Sequence, residues 1–295
     1  MMFWHIERAI RNTIAMQKIK SIARFIKIEH TLFSLPLIFS GVFIASKNPP
    51  TLQLMILILL GATGARTAAL ALNRIIDRNI DKRNPRTVNR ELPSGKMSIG
   101  DAVMILIISL SIYFLCAACI STFCLMLSPL PLVIFTFYPY MKRFTSYAHF
   151  GVGLGLSMAP LGGWFAAKNS IANCTPGLLL ALFTLCWVSG FDIIYSTLDE
   201  AFDRGENLYS FSSRFGKIKA LHISAMLHLA AFVILVLLFF MQIRAFAALP
   251  FLLVSGYLLY LEQKKSNDVE MAFFKINAVL GFAVLAMVLV GVYFP

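Results

Sequence analysis

"LQLMILILLGATGARTAALALNRIIDRNID" (residues 52–81) is an apolar run of membrane-span length that ends abruptly in acids and bases. About 20 apolar residues cross about 30 Å of hydrocarbon as an α-helix, which satisfies all of its own backbone hydrogen bonds there. The stretch therefore reads as a transmembrane helix with its ionic end at a membrane face. Similar runs recur, and the sequence predicts nine spans, at roughly 30–47, 51–72, 102–121, 123–140, 148–167, 177–197, 220–240, 245–261 and 272–293. The expected fold is all-α, a polytopic bundle of about nine transmembrane helices. Composition agrees: at 295 residues, 59% hydrophobic, 14% charged and mean hydropathy +0.77, the chain lacks the polar surface of a soluble domain. No polar stretch is long enough for a second domain, so residues 30–295 are expected to form one unit. Residues 1–29 interleave Trp4, Ile6, Ile10 and Ile14 with Arg8, Arg11 and Lys18, the pattern of a basic amphipathic segment lying in the interface.

Segments 1–29, 73–100, 141–147, 198–219 and 262–275 hold 22 Lys and Arg, whereas the alternate loops hold only Lys47, Lys168 and Arg244. Basic loops stay on the cytoplasmic side, which predicts a plasma-membrane protein with the N-terminus and the ionic loops inside and the C-terminus outside. A basic face beside anionic lipid accounts for the net charge of +12, so the expected partner is membrane lipid and not nucleic acid. Cys116 and Cys119 have CxxC spacing, but they sit in an apolar run with no His or second pair nearby, which favours packing over metal or redox work.

Residues 73–95, "NRIIDRNIDKRNPRTVNRELPSG", gather three acids and six bases. At about 100° per residue, Asn73, Asp77 and Asp81 drift only about 80° around a helix and make one polar stripe. Alone, such a stripe reads equally well as a solvated helix end. It has an echo in "GFDIIYSTLDEAFDRGEN" (190–207), where Asp192, Tyr195, Asp199 and Asp203 also share a face; the last three each lie 122 residues after Asn73, Asp77 and Asp81. The shared offset suggests an internal pseudo-repeat that brings two acidic stripes face to face. Acids at a membrane edge need a compensating cation, and carboxylates with few His or Cys around them select a hard ion such as Mg²⁺, which commonly bridges a substrate's phosphates. Arg78, Arg86, Arg90, Lys142 and Arg143 lie on the same membrane side, where they can grip phosphate oxygens. Acids for metal and bases for phosphate fit a diphosphate at the membrane face. Arg66, seven residues before Asn73, sits inside the span; it is either paired or snorkelling, or it is the counter-ion of an anionic substrate bound deeper. Small residues around it, including Gly61, Ala62, Gly64, Ala65 and Ala69, either admit close helix packing or leave a cavity.

"NRIIDRNID" (73–81), "PRTVNRELPSG" (85–95), "YPYMKRFT" (138–145) and "DIIYSTLDEAFD" (192–203) together resemble the motif set of the UbiA-type intramembrane aromatic prenyltransferases, especially 4-hydroxybenzoate polyprenyltransferases. The resemblance runs in order from about residue 25 to 220. It implies Mg²⁺-assisted transfer of a polyprenyl group from polyprenyl diphosphate to the ring of an aromatic acid in respiratory quinone synthesis. On the same footing, Asn73, Asp77 and Asp81 match the first metal–diphosphate motif, and Asp192, Asp199 and Asp203 the second. Asp77, Asp81, Asp199 and Asp203 are then the expected metal ligands, while Arg86, Arg90 and Lys142 match diphosphate-binding bases; Arg143, by its charge and membrane side, is expected to bind diphosphate with them. Arg66 is expected to meet the aromatic carboxylate, Tyr138 and Tyr195 to wall the site, and Asp192, with Lys142 and Arg66, to form the catalytic set. The stretch "KRFTSYAHFGVGLGLSMAPLGGWFA" (142–166) is also similar to a branch labelled 4-hydroxybenzoate polyprenyltransferase, some of whose members act on a naphthoate in menaquinone synthesis, so a dihydroxynaphthoate stands beside 4-hydroxybenzoate as acceptor. A secondary transporter is the alternative from another class, but its site belongs near the bilayer midplane and these acids gather at one face.

Overall fold

The computed structural model describes residues 21–26, 31–46, 48–269 and 275–294, and the regular structure among them is helical throughout. Its α-helices are α1 (Thr31–Ala45), α2 (Leu52–Ile76), α3 (Arg78–Arg83), α4 (Ile99–Ile120), α5 (Thr122–Leu127), α6 (Pro129–Met141), α7 (Ala148–Lys168), α8 (Thr175–Ser196), α9 (Glu200–Gly205), α10 (Phe211–Phe215), α11 (Lys217–Leu238), α12 (Leu249–Lys264) and α13 (Asn277–Tyr293). Seven helical stretches among the described residues are long and apolar enough to cross a membrane, and they fall at seven of the nine expected positions. Shorter apolar helices, Ser34–Ala45 and Asn277–Tyr293, stand at the first and last. The chain is an integral membrane protein. Most of the expected interfacial segment 1–29 lies outside the described residues, as does Lys47; residues 21–26 are helical, and Phe25 is fully buried in one apolar cluster with Ala71, Leu92 and Met97.

Packing runs from α4 through α2 and α6 to α7 and α8, then through α11, α12 and α13 back to α1, which rests on α7 and α8. Central position shows in burial: 67% of the apolar window of α8 is covered, against 17% for α4, whose Ile107, Ile108 and Leu115 face outward as lipid-facing side chains do. The α1–α7 contact is a backbone contact. A Cβ on Gly41 would lie 2.0 Å from the Pro160 carbonyl oxygen, and one on Gly163 would lie 2.0 Å from that of Ile38. Around Arg66 both uses of small residues occur: Gly64 abuts the Ser109 carbonyl of α4, while Ala62, Ala65 and Ala69 line a cavity. Among the described residues the cysteines are free thiols, Cys116 buried and Cys119 exposed.

The two acidic stripes do not run along unbroken helices, as their spacing suggests. Each is broken at its middle member. Span α2 stops at Asp77 (φ −90°, ψ 1°) before the six-residue α3, and α8 passes through a 3₁₀ turn, Thr197–Asp199, to Asp199 (φ −107°, ψ 6°) before the six-residue α9. Both junctions adopt the bridge conformation, and Asp81 and Asp203 are each the fourth residue of the short helix that follows. The 122-residue offset is thus repeated in the backbone. Helix ends leave carbonyls without intrahelical partners. Arg143 donates to the Ile76 carbonyl at 3.0 Å, and the Ser212 hydroxyl donates to that of Ser196 at 3.0 Å.

Candidate active site

The two breaks face a polar cavity of about 220 Å³ lined by Asn73, Asp77, Asp81, Arg86, Arg90, Tyr138, Lys142, Asp192, Tyr195, Asp199 and Asp203. Sequence positions 130 residues apart meet here because loops 77–98, 142–147 and 197–216 gather at one end of the bundle. Arg83 binds Glu206 at 2.8 Å, and the Tyr209 amide donates to the Lys142 carbonyl at 2.7 Å.

Acids and bases in the cavity hold one another. Arg86, from the first loop, reaches the second stripe: its Nε and a terminal nitrogen grip both carboxylate oxygens of Asp199, Nη1 donates to the Tyr195 hydroxyl at 2.6 Å, and the guanidinium lies 4.8 Å from the Tyr195 ring centroid. Arg90 donates to both oxygens of Asp81, at 3.1 and 2.9 Å. Lys142 donates to Asp77 Oδ2 at 2.7 Å, where Asn73 also donates at 3.3 Å. Burial holds the Asp77 carboxyl above the usual carboxylate range although Lys142 and Arg143 pull it down. For Arg86, burial disfavours the charge, but the bonds to Asp199 and Tyr195 outweigh it and raise the guanidinium above its ordinary value, so Arg86 stays cationic.

Two expected phosphate-binding bases are placed differently. Arg143 does not line the cavity; it stacks on Tyr140 (4.7 Å) and caps α2, touching Asp77 Oδ1 at 3.5 Å. Its Nη2 is engaged by the helix end, so it supports Asp77 from behind. Arg78 donates to Asn79 at 3.4 Å on the exposed side of α3 and also lies off the cavity.

Arg66 lies one compartment deeper. It lines a cavity of about 160 Å³ with Ser34, Ala62, Ala65, Ala69, Tyr113 and Phe135, and Tyr138 and Val152 belong to the walls of both this chamber and the acidic one. Its Nε is buried without a hydrogen-bond partner among the described residues. Beyond it, sharing Ile38, Ala62, Tyr113, Pro131, Met158 and Gly162, opens an apolar cavity of about 520 Å³ bounded by residues such as Ile58, Leu127, Leu161 and Phe165. The three spaces form a row from ionic to cationic to apolar.

Residues that sequence reasoning missed are the partners of those it found. Asn84 donates to Asp199 Oδ1 at 2.9 Å and accepts the Arg86 amide, and Ser210 lines the cavity with Asp203. His149 lies 2.7 Å from Asp192. Asn84 sits inside the quoted ionic loop and His149 inside 142–166, but only the fold shows what each one faces.

Residues 34–279 match the sequence model of the UbiA prenyltransferase family. Among solved structures, the apo structure of a UbiA homolog from Aeropyrum pernix K1 is 32% identical and covers 89% of this chain and 98% of its own, with a TM-score of 0.83. A UbiA homolog from Archaeoglobus fulgidus bound to DMAPP and Mg²⁺ shares the fold at 18% identity, covering 90% and 99%, with a TM-score of 0.68. The chain is also similar to the 4-hydroxybenzoate octaprenyltransferase of Francisella tularensis subsp. novicida (strain U112), 29% identical over 179 residues, which are 60% of this chain and 62% of that relative. Against the enzyme of the same name from Aliivibrio salmonicida (strain LFI1238), 27% identity extends over 213 residues, 71% of this chain and 74% of the relative.

Proposed function

This chain belongs to the UbiA prenyltransferase family, and from that premise we propose that it transfers a polyprenyl group from polyprenyl diphosphate to the ring carbon beside the hydroxyl of a small aromatic acid. The preferred acceptor is 4-hydroxybenzoate, with a dihydroxynaphthoate as the alternative, in the synthesis of a respiratory quinone. One observation carries the reading: two acidic stripes from distant segments line one cavity together with Arg86, Arg90 and Lys142. Family membership and the end-on position of that cavity favour transfer over transport. Residues 30–295 act as a single domain, and by its basic loops the ionic end faces the cytoplasm.

The donor set suits Mg²⁺. Asp77, Asp81, Asp199 and Asp203 offer only hard oxygens, and among the described residues no three His, Cys, Asp or Glu side chains converge closely enough to hold an ion unaided. That spacing fits an ion that takes its remaining ligands from diphosphate and water. When bound there, the metal supplies positive charge to the leaving diphosphate.

The protein's own part follows from charge. Cleavage of the allylic C–O bond leaves both electrons on the diphosphate, and Arg86, Arg90 and Lys142 stabilise that anion. The carbocation left behind is quenched by any water, so it requires the dry apolar walls of the deeper cavities, which also receive the prenyl tail. Arg66 holds the carboxylate of the acceptor, Tyr138 stands at the boundary between the chambers, and Asp192 orients the phenol or takes the ring proton. The test is product formation in isolated membranes with Mg²⁺, a polyprenyl diphosphate and, in parallel, 4-hydroxybenzoate or dihydroxynaphthoate. Product with one acceptor supports the reading and names the substrate; none with either, from folded protein, refutes it.

A further inference from the structure

Asp192 does not stand alone at the cavity wall. The imidazole of His149, second residue of α7, is buried beside it at the edge of the same cavity and is engaged at both nitrogens: Nδ1 lies 2.7 Å from Asp192 Oδ2, and Nε2 accepts the Phe211 backbone N–H at 3.4 Å. A ring nitrogen that accepts an N–H carries no proton, so in the neutral ring the proton sits on Nδ1 and is donated to Asp192. The Phe211 ring packs against the imidazole, centroids 5.7 Å apart, so helices α7, α8 and α10 together fix its plane. Exposure divides the pair: the Asp192 side chain is 22% exposed at the cavity and that of His149 only 7%. Oδ2 is held, and Oδ1 makes no hydrogen bond among the described residues. An aspartate χ2 is broad and two-fold by itself, so one fixed donor is enough to select which oxygen meets the cavity.

Resting on the prenyl-transfer reading, we infer that His149 is a positioning residue that acts through Asp192, holding Oδ2 so that Oδ1 receives the ring proton in the last chemical step. In that step the C–H bond at the newly prenylated carbon breaks, its electron pair restores the aromatic ring, and the proton passes to Asp192 and then to water. His149 is not itself placed to take the proton, because Nδ1 is engaged by Asp192 and Nε2 by the Phe211 amide. Its second contact, to Phe211, is a structural anchor, and the two roles separate by substitution. Asparagine keeps a donor near the Nδ1 position and loses the Nε2 acceptor; glutamine keeps an acceptor near Nε2 and loses the Nδ1 donor.

The experiment compares steady-state prenyl transfer by the full-length wild type, His149→Asn, His149→Gln, Asp192→Asn and the double variant His149→Gln/Asp192→Asn in membranes, at equal amounts of folded protein. His149→Gln is expected to lower kcat about 10- to 100-fold with KM for both substrates within about twofold, while His149→Asn stays within about fivefold of wild type. In the Asp192→Asn background, His149→Gln is expected to cost nothing further, because its effect runs through that carboxylate. Wild-type kcat in His149→Gln, a larger loss in His149→Asn than in His149→Gln, or an additive double variant overturns the inference and leaves anchoring of Phe211 as the role. Absence of turnover by the wild type overturns the prenyl-transfer reading and this inference with it.

Discussion

Replacing Arg66 with methionine should make the ligand-free protein more stable and the enzyme worse, two effects that a merely structural arginine would not combine. The side chain lies inside a span, its Nε is buried with no hydrogen-bond partner among the described residues, and it borders a chamber of about 160 Å³ walled by alanines and aromatics. A buried guanidinium at mid-span costs about 2.5–3.5 kcal/mol when uncompensated, and methionine fills similar volume without the charge. Recovering about 2–3 kcal/mol should raise the unfolding midpoint of the ligand-free protein in detergent by about 4–12 °C, given about 2–4 °C per kcal/mol for large domains. Acceptor binding should suffer in the opposite sense. Truncating one partner of a buried, hydrogen-bonded charge pair costs about 2–5 kcal/mol, which is about 30- to 4,000-fold in kcat/KM for the aromatic acid, with KM for the prenyl diphosphate little changed. Phenol, which lacks the carboxylate, tests the cause. Wild type should discriminate against it strongly and Arg66→Met hardly at all. An Arg66→Met variant that is destabilised, or that still prefers 4-hydroxybenzoate over phenol by the wild-type ratio, refutes the assignment.

Asp77→Asn and Asp199→Asn should each abolish turnover without loss of membrane insertion, and chelation of divalent metal should do the same to wild type reversibly on adding Mg²⁺; wild-type rates in either variant exclude those carboxylates as ligands. Arg86→Lys keeps the charge but loses the fork that can clamp phosphate with two parallel N–H donors; two charged hydrogen bonds at about 1.5–3 kcal/mol each predict a fall of about 10²- to 10⁴-fold in kcat/KM, read from steady-state rates at saturating acceptor. Asn277→Leu breaks a buried relay in which Trp187 Nε1 donates to Asn277 at 2.7 Å and Asn277 donates to Glu262 at 2.8 Å; two stranded polar groups should cost about 2–5 kcal/mol of stability, seen as a lower unfolding midpoint with kcat per folded molecule unchanged. Titration calorimetry with Mg²⁺ and inorganic diphosphate should show each binding about 5- to 150-fold more tightly when the other is present, and independent affinities would contradict mutual recruitment.

Apolar run length located the helices because a span must be about 20 residues long whatever it packs against, and spacing located the acidic stripes because side chains four apart share a helical face. Neither rule detects where a helix stops being one. Asp77 and Asp199 look mid-helical in sequence, and they become junctions because distant groups, Arg143 and Ser212, take the carbonyls that the breaks release. For the same reason Arg143 looked like a phosphate-binding base and is a helix cap. Arg66 was conspicuous as a charge in a span, yet only packing distinguishes a paired arginine from an unpartnered one facing a chamber. His149 carried no signal of its own, because a lone histidine near a helix start is ordinary until the fold sets it against Asp192.

The pairing inside the acidic cavity bears on how such a site stays folded without substrate. Five aspartates around about 220 Å³ would repel one another strongly if only water stood between them. Arg86, Arg90 and Lys142 remove most of that repulsion by binding Asp199, Asp81 and Asp77. These are also the groups expected to hold diphosphate. On the proposed reading, entry of a metal–diphosphate pair need not create a site: Asp77, Asp81 and Asp199 would hold the metal, and the bases now paired with them would turn to phosphate. Either ligand alone would break an ion pair and leave one half of it unsatisfied in a partly buried place, at a cost of about 1–3 kcal/mol, whereas both together leave none. Mutual recruitment of metal and diphosphate then follows from the resting ion pairs themselves. In the proposed reaction a carbocation would then form only when both have arrived.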